Sequence, residues 1–480
     1  MGGSAGDGTP GERGGGLAAR LLAPFADVRP GEAGTALAMA AQGFLLLTVY
    51  YLLKPVRESW ILPGVAGLDG AELKTYLAAV QAVALVVVVR GWGALARRLR
   101  RDRLIGAAIA TAIASLAAFW VLHATGAEVA IAFTLWLGAF QLLLIAQFWS
   151  FATDLYTPER GRRVFAVLGA GAALGSVVGA QVARALMRWV DDPVWLLPVA
   201  AATLSLVPAL AGLVHRRESR AAAAEIEPLG VSAIPGRDPP GVIARLVADP
   251  YLRLVAAFTV LLNAIATIGE YALDRTLLAT AAQAVAHGEV ASVELYVGAF
   301  KADYYAAINL VVLVLQLFAV ARVLRAIGER AALAILPAFV VVAAVLALGA
   351  GSAALPMLAV LAVARVLENG IAHSIQGTAR QALYLVTTRE GRWSGRALID
   401  TAFWRGGDVL GALLVAGLAA CGGSPMHAIA VSLALGLIWL AVVRSLGRAH
   451  AARCAAVEVP ALESGRALES GRALESSRAV

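Results

Sequence analysis

Long apolar segments dominate this sequence and limit what it can fold into. About twelve lie between residues 35 and 444, each close to the ~20 residues that an α-helix needs to cross a bilayer. We place them at 35–54, 73–90, 104–123, 127–150, 164–186, 193–214, 252–273, 303–321, 331–350, 355–378, 397–420 and 425–444. The chain is 60% hydrophobic and 15% charged, against about 45–50% and 25% in soluble domains. The sequence therefore predicts an all-α polytopic membrane protein.

Arginine-rich loops alternate with loops that carry no basic residue. Basic loops follow the second, fourth, sixth and eighth spans, and their arginines are Arg97, Arg98, Arg100, Arg101, Arg103, Arg160, Arg162, Arg163, Arg216, Arg217, Arg220, Arg322, Arg325 and Arg330. The connections after the third, ninth and eleventh spans have neither Lys nor Arg. The positive-inside rule then predicts that both termini are cytoplasmic. It also accounts for the net charge of +8 without a nucleic-acid partner.

The source and the membrane are predicted from composition. Arginine outnumbers lysine 37 to 3, and alanine and glycine are in excess, which is typical of a GC-rich bacterial genome. No short apolar core with a small-residue cleavage site follows the polar residues 1–30, so we expect no cleaved signal peptide. These features indicate a protein of the bacterial inner membrane.

The longest connection, 215–251, divides the spans six and six. It contains four prolines and is typical of a linker. The expected organisation is a polar tail at 1–34, a first six-helix half at 35–214, the cytoplasmic linker, a second half at 252–445 and a low-complexity tail at 446–480. Two six-helix halves joined by a cytoplasmic linker is the layout of a major facilitator transporter.

The fifth span is rich in glycine, with Gly169, Gly171, Gly175 and Gly179. The string 169–175 has the wrong spacing for a dinucleotide-binding loop, and no strand precedes it. Small residues four apart allow two helix backbones to pack closely in lipid, and this use is favoured.

Charged residues at the ends of two spans are the first candidate functional residues. Lys54, Arg57 and Glu58 share one helical face at the end of the first span, because they are three and four residues apart. They are either a cap at the outer interface or ligands for an anionic substrate. Glu270 ends the seventh span in a similar way, while Tyr305 and its neighbours at the start of the eighth fit an interfacial aromatic belt.

The segment 364–414 is apolar enough for membrane and yet carries several charges. A charge at the bilayer centre costs about 2.5–3.5 kcal/mol, so such residues are expected to pair or to face a polar cavity. Arg365 and Glu368 are three apart in the tenth span and can pair.

The eleventh span carries a polar face of its own. Asp400, Arg405 and Asp408 fall within an arc of about 140° on a helix. Arg380 lies near the adjoining cytoplasmic loop. The alternatives are a structural ion-pair network and a set of gating or binding charges. We expect Arg365 and Glu368 to be the partners of Arg405 and Asp408.

Motifs of soluble catalysis are missing from the sequence. The six histidines have no metal-ligand spacing, and neither a Walker loop nor the HExxH or GxSxG patterns occur. We therefore expect no enzyme activity, no metal and no cofactor.

At these clusters the chain resembles the nucleotide transporter family, the ATP/ADP translocases of plastids and intracellular bacteria and their free-living bacterial relatives. The string Tyr50-Tyr-Leu-Leu-Lys54-Pro-Val-Arg57-Glu58 is similar to the family's Lys-x-x-(Lys/Arg)-(Asp/Glu) ending of the first helix. Similar passages join the fourth to the fifth and the tenth to the eleventh helix, at 148–165 and 380–407. The resemblance implies a major-facilitator-like fold and nucleotide exchange. By position it implies functional roles for Lys54, Glu270 and a cation at Arg405 or Arg396.

Two departures from the family pattern bear on the substrate. The translocases carry a glutamate early in the fourth helix, where this chain offers only Gln141 and Gln147. Arginine also replaces the usual lysine near the second-half site, and it can grip phosphate bidentately.

The expected function is alternating-access transport of an anionic metabolite, a nucleotide such as ATP or ADP first. Lys54, Arg57, Arg380 and Arg405 would attract phosphate. The carboxylates that would orient them or form gating pairs are Glu270, Glu368, Asp400 and Asp408. A general exporter of drugs or lipids and a non-transporting membrane scaffold or sensor are the alternatives.

Overall fold

The computed structural model describes residues 30–81, 84, 101–155, 158–189, 192–222, 248–350, 356–384, 387 and 396–478. In these ranges the chain is almost entirely helical, and the only extended pairing is an isolated bridge between Val65 and Leu68. The helices of the first half of the chain are α1 (Pro30–Ile61), α2 (70–81), α3 (Arg101–Ala124), α4 (Ala130–Leu155), α5 (Pro158–Leu186), α6 (Leu196–Leu204) and α7 (Val207–Ala222).

The later helices are broken in three places by a wider, π-helical turn. They are α8 (Pro250–Ala286), α9 (Val293–Val314), α10 (Val320–Ala350), α11 (Met357–Ile371), α12 (Gly377–Ala382), α13 (Arg396–Leu398), α14 (Trp404–Ala420) and α15 (Pro425–Arg478). The π turns are Leu315–Ala319, Ala372–Gln376 and Ile399–Phe403. Such turns occur frequently at functional sites.

Eleven segments of the described chain are long and apolar enough to cross a membrane. Each matches a predicted span, which confirms the all-α, multi-pass class. The remaining prediction, 73–90, begins in α2, and its later part falls largely outside the described residues. Pro55 does not end α1, which continues to Ile61.

The described chain forms two compact units. The first comprises Met1–Val231 and Leu277–Leu310, and the second Ser232–Thr276 and Val311–Val480. These units are not the predicted halves, because residues 277–310 belong to the first unit. The six-plus-six division stays a prediction, and most of its linker lies outside the described residues.

Glycines of α5 bring it against the backbone of α1 in the first unit. A Cβ added to Gly171, Gly175 or Gly179 would lie 2.4, 2.1 or 2.3 Å from a carbonyl oxygen of α1. Those oxygens belong to Ala40, Phe44 and Thr48, which have the same four-residue spacing. Close packing of α5 through small residues is therefore confirmed at three of the four glycines, since Gly169 has nothing within 4 Å of an added Cβ.

The second unit has an apolar core between α8, α10 and α15. Phe258 and Trp439 lie 5.4 Å apart, centroid to centroid, and both are buried. Gly407 of α14 approaches the backbone of Val260 in α8, where an added Cβ would lie 2.7 Å from the carbonyl oxygen.

Asp249 fixes the start of α8 and joins it to α15. Its Oδ1 accepts hydrogen bonds from the amide of Tyr251 at 2.9 Å and from the guanidinium of Arg453 at 2.6 Å. Burial opposes the charged form, but these hydrogen bonds and the arginine charge outweigh it and hold the pKa of Asp249 below its ordinary value.

We expect Asp249→Ala to lower the free energy of unfolding by about 1–2 kcal/mol at pH 7, as loss of a helix cap does. Because the folded-state pKa is depressed, the contribution of Asp249 is present above its unfolded pKa near 3.8 and is lost as the pH falls through the folded pKa. Thermal unfolding of the wild type and of Asp249→Ala at pH 7 and pH 3 tests this. If the two proteins differ in stability by the same amount at both pH values, the role of the charge is contradicted.

Candidate functional site

An aromatic cage in the first unit surrounds Lys54. Its ammonium nitrogen lies 3.9 Å from the ring centroid of Tyr305, 5.3 Å from that of Tyr51 and 5.8 Å from that of Tyr50. The two α1 tyrosines reach it because they precede it by three and four residues on a continuous helix. Ring faces attract an ammonium group without cancelling its charge.

Glu58, one turn after Lys54, is the charged centre of the same cluster. Its side chain is 0% exposed and pairs with Arg57 and with Lys74, whose Nζ lies 2.6 Å from Oε2. The hydroxyl of Tyr305 donates a hydrogen bond of 2.8 Å to Oε1. Tyr305 therefore serves both groups, with its ring against Lys54 and its hydroxyl on Glu58.

Burial argues against one of the two interpretations of this segment, the interfacial cap. Arg57 and Lys74 are only 16% and 14% exposed at their side chains, and Tyr305 is buried. Long side chains that snorkel to an interface keep their charged ends in water. The geometry favours a buried polar cluster over an interfacial cap, and Tyr305 packs inside this cluster.

Arg365 is the corresponding centre in the second unit. Its side chain is 6% exposed, and its guanidinium lies 2.6 Å from Glu368 and 3.5 Å from Glu270. It also donates a hydrogen bond of 3.0 Å to the carbonyl oxygen of Ala266. Gly269 makes room for it, since an added Cβ would lie 2.8 Å from Nη1.

Arg405 and Asp408 pair with each other at 3.1 Å, three residues apart on α14. The prediction that Arg365 and Glu368 are their partners is therefore wrong. Residues three apart on one helix are neighbours, so Arg405 and Asp408 pair without a partner from another helix. Arg365 instead pairs with Glu270, and hydropathy alone does not report which helices are neighbours.

A further cluster joins the ends of α12 and α13. Asp400 lies 3.3 Å from Arg380 and 3.4 Å from Arg396. Arg380 lies against the ring of Trp404, 4.8 Å from its centroid. The pairing of Arg380 with Asp400 could not be read from the sequence, because 20 positions separate them.

The predicted residues thus fall into four clusters within the two units. They are Lys54–Arg57–Glu58, Glu270–Arg365–Glu368, Arg380–Asp400 and Arg405–Asp408. Sequence reasoning missed Lys74 and underrated Tyr305. Lys74 offered a signal, since it is one of three lysines in the chain and stands at the start of an apolar span.

Solved transporter structures share this fold over nearly their whole length. The nucleoside transporter NupG aligns with a TM-score of 0.59 and 13% identity, covering 87% of this chain and 98% of that one. A bacterial homologue of the iron transporter ferroportin, inward-facing, aligns at 0.58 and 14%, covering 86% and 98%. A mutant of the peptide transporter POT in complex with sulfate aligns at 0.58 and 17%, covering 86% and 95%.

These likenesses show a major-facilitator-like fold, which confirms the predicted fold class. At such low identity they concern the fold alone. No protein-family model matches the sequence, and no curated protein matches it at a significant level.

Proposed function

We propose that this protein is a secondary transporter that moves an anionic small molecule across a bacterial inner membrane by alternating access, with both termini in the cytoplasm. The observation that carries the proposal is the cluster around Lys54 in the first unit. It brings the cations Lys54, Arg57 and Lys74 together around Glu58 and the ring of Tyr305. Lysine and arginine are the side chains that bind phosphate and carboxylate groups, so this cluster favours an anion as ligand.

A nucleotide is the first choice of substrate. Lys54 would attract phosphate, while the partly exposed ring of Tyr51 offers aromatic surface to a base. The resemblance to the nucleotide transporter family supports the same choice, and it implies roles for Lys54, Glu270 and Arg405. In this proposal Arg57, Arg380 and Arg405 attract the anion as well.

The carboxylates of the second unit orient its cations or form gating pairs. Glu270 and Glu368 hold Arg365, Asp400 holds Arg380, and Asp408 holds Arg405. Ion pairs of this kind can open and close as a transporter changes conformation. ATP/ADP exchange would then need no energy source other than the two nucleotide gradients.

Uptake into proteoliposomes tests the function. Labelled ATP, ADP and phosphate are offered to vesicles that are empty or loaded with unlabelled nucleotide. We expect uptake of ATP or ADP that depends on internal nucleotide. Neither accumulation nor counter-exchange of any of the three would overturn the proposal.

Variants of the cage test its role in transport. Lys54→Ala should reduce uptake about tenfold or more, since it removes a charge-assisted contact to the anion. Tyr305→Phe keeps the ring over Lys54 and should retain more uptake than Tyr305→Leu, which loses a cation–π contact of about 0.5–2 kcal/mol. Arg448→Gln, an exposed charge on α15, is the control. Wild-type uptake by Lys54→Ala would mean that the lysine is structural.

A further inference from the structure

Two arginines, one near the end of α12 and one at the start of α13, share one carboxylate. Arg380 and Arg396 approach Asp400 at 3.3 and 3.4 Å, one on each carboxylate oxygen. Charge-assisted hydrogen bonds between such groups are shorter, about 2.7–2.9 Å, and the strongest are bidentate. Asp400 therefore makes only one long contact to each guanidinium group, and neither contact is bidentate.

The guanidinium groups have supports other than Asp400. Arg380 lies 4.8 Å from the ring centroid of Trp404, and Arg396 lies 5.4 Å from that of Tyr384. Arg396 also donates a hydrogen bond to the side-chain oxygen of Gln381. These contacts position both cations independently of the carboxylate, since an arginine stacked on a ring loses little freedom on binding.

The ion pair at the centre of this cluster is loose. Nη1 of Arg380 and Oδ1 of Asp400 are both buried and lie 3.3 Å apart, yet neither atom makes a hydrogen bond among the described residues. Burial and the nearby Asp400 carboxylate raise the pKa of Tyr384, so its hydroxyl keeps its proton. Two arginines and one carboxylate give these three residues a net charge of +1.

We propose that Arg380 and Arg396, the latter held in place by Gln381, form a binding site for a phosphate-type oxyanion, and that Asp400 occupies the place of that anion when the site is empty. A tetrahedral phosphate has more acceptor oxygens than a carboxylate and can meet both guanidinium forks. The inference rests on the proposed function, because the site would be a second contact point for a phosphorylated substrate. The other source of the same chemistry is a phospholipid headgroup.

Opposite effects of two substitutions test this site. Affinity for inorganic pyrophosphate is measured by calorimetry on the purified full chain in a non-ionic detergent, in a Lys54→Ala background that removes the first cluster's contribution. Arg396→Gln should weaken binding about tenfold, as loss of a charged hydrogen-bond donor does. Asp400→Asn should strengthen it severalfold, because the competing charge is gone. Arg448→Gln, which removes an exposed charge from the same unit, should change nothing.

The inference would be overturned if Asp400→Asn unfolds at the same temperature as its parent and binds pyrophosphate equally well or more weakly. A carboxylate that only positions the arginines would give that result. Unchanged affinity in Arg396→Gln would overturn it as well. The Arg396 side chain is 43% exposed, so that variant is expected to fold and is decisive even where Asp400→Asn is not stable.

Lipid composition separates the two sources of phosphate. In nanodiscs of phosphatidylcholine, added phosphatidylglycerol should lower pyrophosphate affinity in an Arg396-dependent way when the site takes a lipid headgroup. Unchanged affinity would assign the site to a soluble phosphate.

Failure of this inference is distinct from failure of the proposed function. If the protein exchanges nucleotides and Arg396→Gln binds pyrophosphate normally, only the site is rejected. If binding depends on Arg396 but no transport occurs, only the transport proposal is rejected.

Discussion

Replacing Gly175 by alanine is expected to destabilise the first unit strongly. The new Cβ would lie 2.1 Å from the carbonyl oxygen of Phe44, a backbone atom that cannot rotate away. Overpacking a well-packed contact costs typically about 1–3 kcal/mol, and a clash with backbone puts this variant at the upper end. The bond from the Thr48 hydroxyl to the Gly175 carbonyl oxygen, 3.2 Å long, would be strained with it.

Gly212→Ala is the matched control, because an added Cβ at Gly212 has nothing within 4 Å. Alanine is favoured over glycine inside a helix by about 0.5–1 kcal/mol, so this variant should be as stable as the wild type or slightly more stable. The midpoint of thermal unfolding in one detergent compares the two. Equal midpoints for Gly175→Ala and Gly212→Ala would show that α1 and α5 are not in backbone contact.

Replacing Glu58 by glutamine is expected to have the largest effect of any single charge removal in the first unit. The side chain is completely buried and pairs with Arg57 and Lys74. Breaking a buried ion pair by removing one partner costs about 3–5 kcal/mol, because the remaining charge is left uncompensated. The hydrogen bond from Tyr305 can be kept by the glutamine oxygen, so the loss reports on charge rather than on shape.

Glu289→Gln makes the same chemical change at an exposed position and should be nearly neutral. Thermal unfolding and the yield of monodisperse protein after purification measure both variants. A Glu58→Gln protein as stable as Glu289→Gln would mean that Lys74 and Arg57 find compensation elsewhere.

Helix positions could be predicted because length and hydropathy are local properties. The segment 425–444 lies within the apolar helical segment Pro425–Arg453, and 193–214 coincides with the segment Pro193–Val214. The face shared by Lys54, Arg57 and Glu58 was also predictable, since spacing of three and four residues suffices on a continuous helix.

Partners between helices could not be predicted in the same way. Glu58 meets Lys74 and Tyr305, and Arg365 meets Glu270, which lies 95 positions earlier in the chain. Which charges meet depends on which helices lie side by side and how each is rotated. In the second unit Gly269 contributes to this, because an added Cβ there would lie 2.8 Å from Nη1 of Arg365 and the guanidinium would have to shift.

The sequence by itself determined that this chain is a multi-pass helical membrane protein with charges that must be paired or used. Hydrophobic length and the energetic cost of charge in lipid act residue by residue, so both can be read along the chain. Only the tertiary structure decided that Lys54 lies in a tyrosine cage and that Asp400 lies between two arginines. Such contacts arise when distant segments pack together, and their distances are set by the packed backbones rather than by local sequence.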